Sequence, residues 1–286
     1  MRKSIFDIVS ENTDMEKDCE RILAMATKEK TLITGTYPDY TLFEFVEEHC
    51  FREWLHRGHC VDVDDYLEAL DFNEWKYDAP YEVESFLTLI ELVYNFWQLS
   101  YLKFQDDNLF LQWRGNYCHL KEVMDDVLEQ FNHKAYIDDT NQQVLVVEDK
   151  GEITAVSEII NPELSFEVIR YNHRALKGEI EVKKSIILQL GAELEPKRKE
   201  LSSINKQLAE NIFFMLNNLN IRHNNRSKKD KNYKEYVAKM RKERLEKWYD
   251  ELYQMILLAF LLLDNVERTE RVNELKTNIV GGEVNG

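Results

Sequence analysis

Arg222 and His223 stand side by side in the strip Asn217–Asn225 (NNLNIRHNN), with Arg226 close behind. A guanidinium offers five fixed donors that match phosphate oxygens, and an imidazole titrates near neutrality. Together they suit phosphodiester chemistry, with Arg222 holding the phosphate and His223 moving a proton during 2′-OH attack on the adjacent phosphorus. Asn217, Asn218, Asn224 and Asn225 would orient a bound strand by hydrogen bonds, while Arg226, Lys228, Lys229 and Lys231 would hold its backbone electrostatically. Geometry competes for the same residues: Asn is a poor helix former, and Asn224 and Asn225 suit a helix stop or turn.

Three other groupings bear inspection. In YNHRALKG (Tyr171–Gly178), Asn172 and Gly178 lower helix propensity by up to ~1 kcal/mol each, so something beyond local preference keeps them. The stretch is expected inside a long helix, where His173 and Lys177 share a face, and the plain reading is an exposed stripe. In HCFREWLHRGHC, His49, Cys50, His56, His59 and Cys60 give five nitrogen or sulfur ligands. The window lacks C-x2-C or H-x3-H spacing, so a tetrahedral zinc site would need partners elsewhere, and no metal is expected. Acidic runs such as Asp62, Asp64, Asp65 read as caps or solvated faces. The chain contains no G-x-x-x-x-G-K-[ST], G-x-G-x-x-G or G-x-S-x-G; nucleotide cradles of these types are absent and no cofactor is expected.

The elements that must position these residues are helical. Nine Gly and four Pro in 286 residues argue against a sandwich, barrel or Rossmann-type chain. Apolar periodicity predicts helices over roughly 15–27, 41–57, 64–70, 83–104 and 117–131, the fourth apolar around most of its circumference and therefore central. Asp14 caps the first, Asp62 or Asp64 the third, and Pro80 precedes the fourth. Residues 134–150 read as a β-hairpin, because β-branched stretches flank the polar DDTNQQ. Beyond it, Pro162 opens a long helix through Leu190 with Gly191 as its stop, a second runs over 193–219, and shorter and longer helices start near Tyr233 and Glu243. The expected fold class is mainly α, a helical bundle with one small β-hairpin near 135–148. Its pieces are an acidic helical domain (1–133), a hairpin and connector (134–161), a long-helix bundle with a basic loop (162–276) and a flexible tail (277–286).

Composition narrows the setting. Hydrophobic residues make up 44% of the chain, enough for a sizeable core. The start, MRKSIFDIVSENTD, lacks the apolar core of a secretion signal, so Cys19, Cys50, Cys60 and Cys118 are expected as reduced thiols in a cytoplasm. The nine-residue apolar run Met255–Leu263 falls short of the ~20 that a membrane span needs. The formal charge of −16 is uneven: Lys197–Asp250 holds 15 Lys/Arg against 7 Asp/Glu, an excess of +8 that leaves −24 on the remainder. That split fits polyanion binding, and equally a basic face that docks on an acidic surface.

At the strip, the sequence resembles the helical HEPN superfamily of prokaryotic abortive-infection and toxin systems. The likeness covers about 164–264: long antiparallel helices, a polar Asn/Arg/His stretch at an interhelical loop, and a final helix with Trp248, Tyr249 and Tyr253. The resemblance implies a metal-independent endoribonuclease that dimerises so that Arg and His of two chains form one site, with Arg222 and His223 the residues that carry over. The family's usual motif places His four to six residues after Arg. Here that spacing occurs instead at Arg114-x4-His119 and Arg52-x6-His59. Arg114/His119, which precedes the apparent helical stretch Leu120–Phe131 as the family motif would, is the second candidate site. The expected function is therefore an RNA-binding or RNA-cleaving effector of a defence or toxin type; the alternative is a non-enzymatic acidic helical scaffold or inhibitor. RNA, a second copy of the chain and a protein partner are the partners these features admit, and a membrane is not.

Overall fold

The structure, a computed structural model, describes residues 14–30, 32, 39–70, 82–106, 116–138 and 142–281. It is mainly helical, with twelve helices and one two-stranded antiparallel hairpin among the described residues. Two compact units divide after Glu148. The hairpin lies in the first unit and the connector that follows it in the second.

The first unit begins with α1 (Met15–Thr27), started by Asp14, whose carboxylate accepts from the Lys17 N–H at 3.3 Å. Cys19, Ile22, Met25 and Ala26 recur at helical spacing and are buried. A capping box starts α2 (Leu42–His49): Thr41 Oγ1 accepts from the Glu44 N–H and the Glu44 carboxylate accepts from the Thr41 N–H. The single helix expected over 41–57 stops at His49 and continues as two 3-10 turns, Phe51–Glu53 and Leu55–Arg57, because Trp54 between them is extended (ψ 123°). Asp62 caps α3 (Val63–Ala69), accepting from the Asp65 N–H at 2.8 Å. Pro80 lies outside the described residues.

The central element is α4 (Val83–Asp106), on which Phe86, Leu89, Ile90, Val93, Phe96 and Trp97 are buried. Against it pack α5 (Asn116–Gln130) and the hairpin of β1 (His133–Asp138) and β2 (Gln143–Glu148), paired in the register Ala135↔Val146. Trp97 and Tyr117 stack at 4.8 Å, and each donates to the other's backbone carbonyl. The buried Asn95 side chain donates to the Val144 carbonyl and accepts the Val144 N–H, both at 2.9 Å, while the Glu91 carboxylate accepts the Val146 N–H at 2.7 Å. Side chains of α4 thus satisfy backbone groups of β2 that its partner strand leaves open.

The second unit holds α6 (Gly151–Ile159), α7 (Pro162–Arg170), α8 (Ile180–Leu194), α9 (Arg198–Ile204), α10 (Lys206–Asn218), α11 (Glu235–Ala238) and α12 (Lys242–Gly281). The helix expected from Pro162 to Leu190 is broken at Tyr171–Glu179, which forms a 3-10 turn (Arg174–Leu176) and a left-handed Gly178 (φ 85°). His173 and Lys177 therefore do not share a helical stripe. The helix expected over 193–219 is broken at Asn205, whose side chain accepts the Leu208 N–H and caps α10. Gly191 is not a stop. It lies inside α8, where a Cβ would come within 2.8 and 2.9 Å of the Leu216 methyls, so its bareness lets α10 approach. Residues 277–281, expected in a flexible tail, complete α12. No helix among the described residues is long and apolar enough to cross a membrane.

Candidate functional site

The polar strip is the loop that leaves α10. Asn220 adopts the left-handed conformation (φ 62°), a region Asn tolerates better than most residues, and this turns the chain two residues past the helix end. The left-handed stop thus falls on Asn220 rather than on Asn224 or Asn225. Tyr249 of α12 donates its hydroxyl to the Leu219 carbonyl at 3.0 Å, satisfying one of the acceptors that a helix end leaves open. Asn218 donates to the Phe214 carbonyl.

Asn225 is fully buried and organises the loop. Its Oδ1 accepts the Asn220 N–H at 2.7 Å and its Nδ2 donates to the Asn232 carbonyl at 2.8 Å. Its backbone carbonyl accepts the Lys234 N–H at 2.8 Å. It cannot orient an external strand, because every polar group of its side chain serves the loop. Asn224, exposed, closes a smaller turn by accepting the Ser227 N–H, and Asn217 is half-buried.

Arg222 is similarly engaged. Its guanidinium meets the Glu195 carboxylate at 2.6 Å, donates to the Gly191 carbonyl at 3.1 Å and lies over the Phe213 ring at 5.5 Å. Gly191 falls in the last turn of α8, where carbonyls lack helical partners and the helix dipole is negative, so Arg222 works as a cationic cap on that helix. His223, next in sequence, is exposed. The two side chains therefore have different surroundings: one is held against α8, the other is open to solvent. Arg226 donates to the Met240 carbonyl. Lys228, Lys229 and Lys231 are exposed, and none has a carboxylate partner among the described residues.

The basic character continues beyond the loop. From Asn224 to Trp248 the chain holds ten Lys/Arg against four Asp/Glu, and two large aromatics stand out in it: Tyr236 is 63% exposed and Trp248 41%. The Arg244 guanidinium sits 5.6 Å from the Tyr236 ring, and an open groove runs among Glu235, Tyr236, Lys239, Met240 and Arg244. The sequence YKEYVAKMRKERLEKWYD interleaves aromatics with cations; that pattern was the available signal for Tyr236, which the Asn/Arg/His strip obscured.

A second polar cluster lies where the sequence pointed to YNHRALKG. Lys183 of α8, buried, reaches Glu246 at 2.8 Å and Asp250 at 2.9 Å on α12. Tyr171 donates to Asp250 at 3.0 Å and stacks on Tyr253 at 4.0 Å; Asn172 donates to the Tyr253 hydroxyl, which in turn donates to the Val168 carbonyl. The Gly178 N–H donates to Glu246. Burial, followed by the Asp250 charge, pushes the Tyr171 phenol well above its ordinary range. Burial alone would raise Glu246, but the Lys183 ammonium and the Gly178 N–H outweigh it and hold the carboxyl below its usual 4.5. Burial likewise opposes the charge on Lys183, yet its two carboxylates raise it above 10.5. These bonds tie the 171–178 break to α12; the cluster is a brace, and its polar groups answer one another.

In the first unit, Arg114 lies outside the described residues. His119, half-exposed on α5, instead meets Arg21 of α1 at 3.2 Å through Nε2 and Glu122 at 3.5 Å through Nδ1. Burial lifts the Cys19 and Cys50 thiols to about 12, which removes both as nucleophiles at neutral pH. Among the described residues, no three His, Cys, Asp or Glu side chains converge as a metal site. No family model matches the chain, and neither a curated protein nor a solved structure matches it.

Proposed function

We propose that this protein is an RNA-binding effector of the defence or toxin kind that the HEPN resemblance implies, and that its RNA-facing surface is the basic segment from Asn224 to Trp248. One observation carries the reading: exposed aromatic faces, Tyr236 and Trp248, stand among exposed Lys and Arg. Cations that track phosphates and aromatics that stack bases are the two ingredients of single-strand binding. Cleavage would be metal-independent and would use His223 as the proton-transfer group, with a dimer bringing two such groups together. Cleavage would require Arg222 to exchange Glu195 for a phosphate, whereas binding requires no such exchange.

The interior commitments of Arg222 and Asn225 favour a second reading, a non-enzymatic interaction protein whose basic face docks on an acidic protein.

Fluorescence anisotropy with a labelled single-stranded RNA of about 20 nucleotides, longer than a typical site of ~4–16, separates the two. Affinity should fall with salt by roughly 0.7 log units per log unit for each phosphate contacted. Lys228→Glu, Lys229→Glu and Lys231→Glu combined should flatten that slope by about 2. Tyr236→Ala should weaken binding by ~1–3 kcal/mol. Absence of binding at low salt, or binding that both variants leave intact, removes the RNA reading in favour of the protein partner.

A further inference from the structure

The last buried residue of α12 is Leu263; the helix nevertheless continues to Gly281. At 1.5 Å per residue, this arm extends about 27 Å past the core it grew from. From Glu267 to Val280 every residue is exposed, so that stretch gains little from tertiary packing, and helices of this length are marginal in water without it. Three of its five apolar side chains, Val272, Leu275 and Ile279, share one seam, with Val266 and Val280 beside it. Leu258, 47% exposed on the outer side of the packed part, is followed at seven-residue steps by Asn265, Val272 (46%) and Ile279 (71%). Between them, at the alternating three-and-four spacing, lie Leu261, Arg268 and Leu275 (57%). The period is 3.5 over three heptads, with one set occupying the a positions and the other the d positions.

We infer that this arm is a dimerisation element, and that its occupant is the same arm of a second copy, wound as a parallel, in-register two-stranded coiled coil. The chemistry of the seam selects that occupant. β-branched Val272 and Ile279 at a, with Leu261 and Leu275 at d, is the combination that favours two parallel strands. Asn265 at a pairs with its own copy only in register, and so fixes both alignment and strand number at some cost in affinity. Arg268 at d is ion-paired within its own helix to Asp264, which leaves its aliphatic stem to cover the seam. The arm's charge supports self-association over attraction to an oppositely charged partner. From Asp264 to Gly281 it carries Asp264, Glu267, Glu270 and Glu274 against Arg268, Arg271 and Lys276, net −1 in a chain of −16. A membrane-surface helix would instead be Lys/Arg-rich with Trp or Phe on its apolar face.

Parallel register makes one specific demand. Arg271 at g faces Lys276 at e of the partner, a like-charge contact repeated by symmetry. Dimerisation should therefore strengthen with salt, the direction opposite to that expected for RNA binding, and the two properties stand or fall separately.

Sedimentation of the full chain over a range of concentrations should show a monomer–dimer equilibrium. Leu275→Asp should abolish the dimer while the circular-dichroism melt of the body is retained, since Leu275 packs on nothing in its own chain. Lys276→Glu should tighten the dimer roughly fivefold by converting two repulsive g–e contacts into attractive ones. An antiparallel pair, in which e faces e, would not gain. Asn265→Val should give tighter association with higher oligomers. A chain that stays monomeric at high concentration, or a dimer that survives Leu275→Asp, overturns the proposal. A dimer unmoved by Lys276→Glu overturns the parallel register.

Discussion

The Arg222 guanidinium spans two partners on one helix end, the Glu195 carboxylate at 2.6 Å and the Gly191 carbonyl at 3.1 Å, and so ties the loop after α10 to the C-terminus of α8. Arg222→Ala should accordingly destabilise the C-terminal unit by about 1–3 kcal/mol, as loss of a charged hydrogen bond and a cap would. His223→Ala, at an exposed position, should leave the melting temperature within experimental error. Thermal unfolding of both variants checks this. If the two behave alike, Arg222 is not a structural cap. Any RNA phenotype of Arg222→Ala must be corrected for that loss of stability, whereas one of His223→Ala needs no such correction.

Asn225→Ala would strip partners from the Asn220 N–H and the Asn232 carbonyl in a buried setting. The expected cost is about 2–4 kcal/mol, since each stranded group costs ~1–3. Asn220→Gly should be nearly neutral because glycine accepts φ 62° freely, while Asn220→Val should be strongly destabilising. Denaturant melts of the three variants give the ranking, and a mild Asn225→Ala would remove its organising role.

Much of the fold could be read along the chain, and the exceptions have two causes. Asp14, Pro162 and the polar DDTNQQ mark their elements locally, and the helices over 15–27 and 83–106 and the hairpin lie within a few residues of where periodicity puts them. The break at 171–178 is different. Asn172 and Gly178 showed that something non-local kept them, but the partners, Glu246, Asp250 and Tyr253, lie about 70 to 80 residues away on α12. Asn205 was a local cap signal inside a strong apolar period, and the period masked it. The strip was conspicuous because it is polar; which of its side chains face inward is decided by α8 and α12, outside its own sequence.

The brace around Lys183 makes stability depend on pH. Glu246 is held below 4.5, so its contribution is complete above that pH and is lost as pH falls through the lower folded value. Lys183 is held above 10.5; its contribution is complete below that pH and is lost only as pH rises through the folded value. The C-terminal unit should therefore show a broad plateau with an acid limb, and Glu246→Gln should lower the plateau and flatten that limb. Lys183→Ala should cost about 2–3 kcal/mol, at the low end for a broken buried pair because Asp250 is half-exposed. Melting temperature against pH for wild type and the two variants is the measurement; an unchanged acid limb in Glu246→Gln would refute the assignment.

Gly191→Ala would place a methyl group against Leu216, which has no exposed surface. Ala is worth ~1 kcal/mol over Gly by helix propensity, but overpacking costs ~1–3 kcal/mol, so the net effect should be destabilising. In a Leu216→Ala background the obstruction is gone and the same substitution should stabilise. A double-mutant cycle reads the reversal of sign, and additivity would show that the close approach is unimportant.

Asn95 and Glu91 close the side of β2 that faces α4 with side-chain amide and carboxylate bonds in place of another strand. A pair of strands this short would ordinarily offer that side as a template, on which an extended segment of another molecule could polymerise. Here the template is already filled by a helix, and by groups that cannot propagate. Substituting Asn95 with an apolar residue would expose it, so the hazard created by that change is edge-to-edge aggregation as well as lost stability.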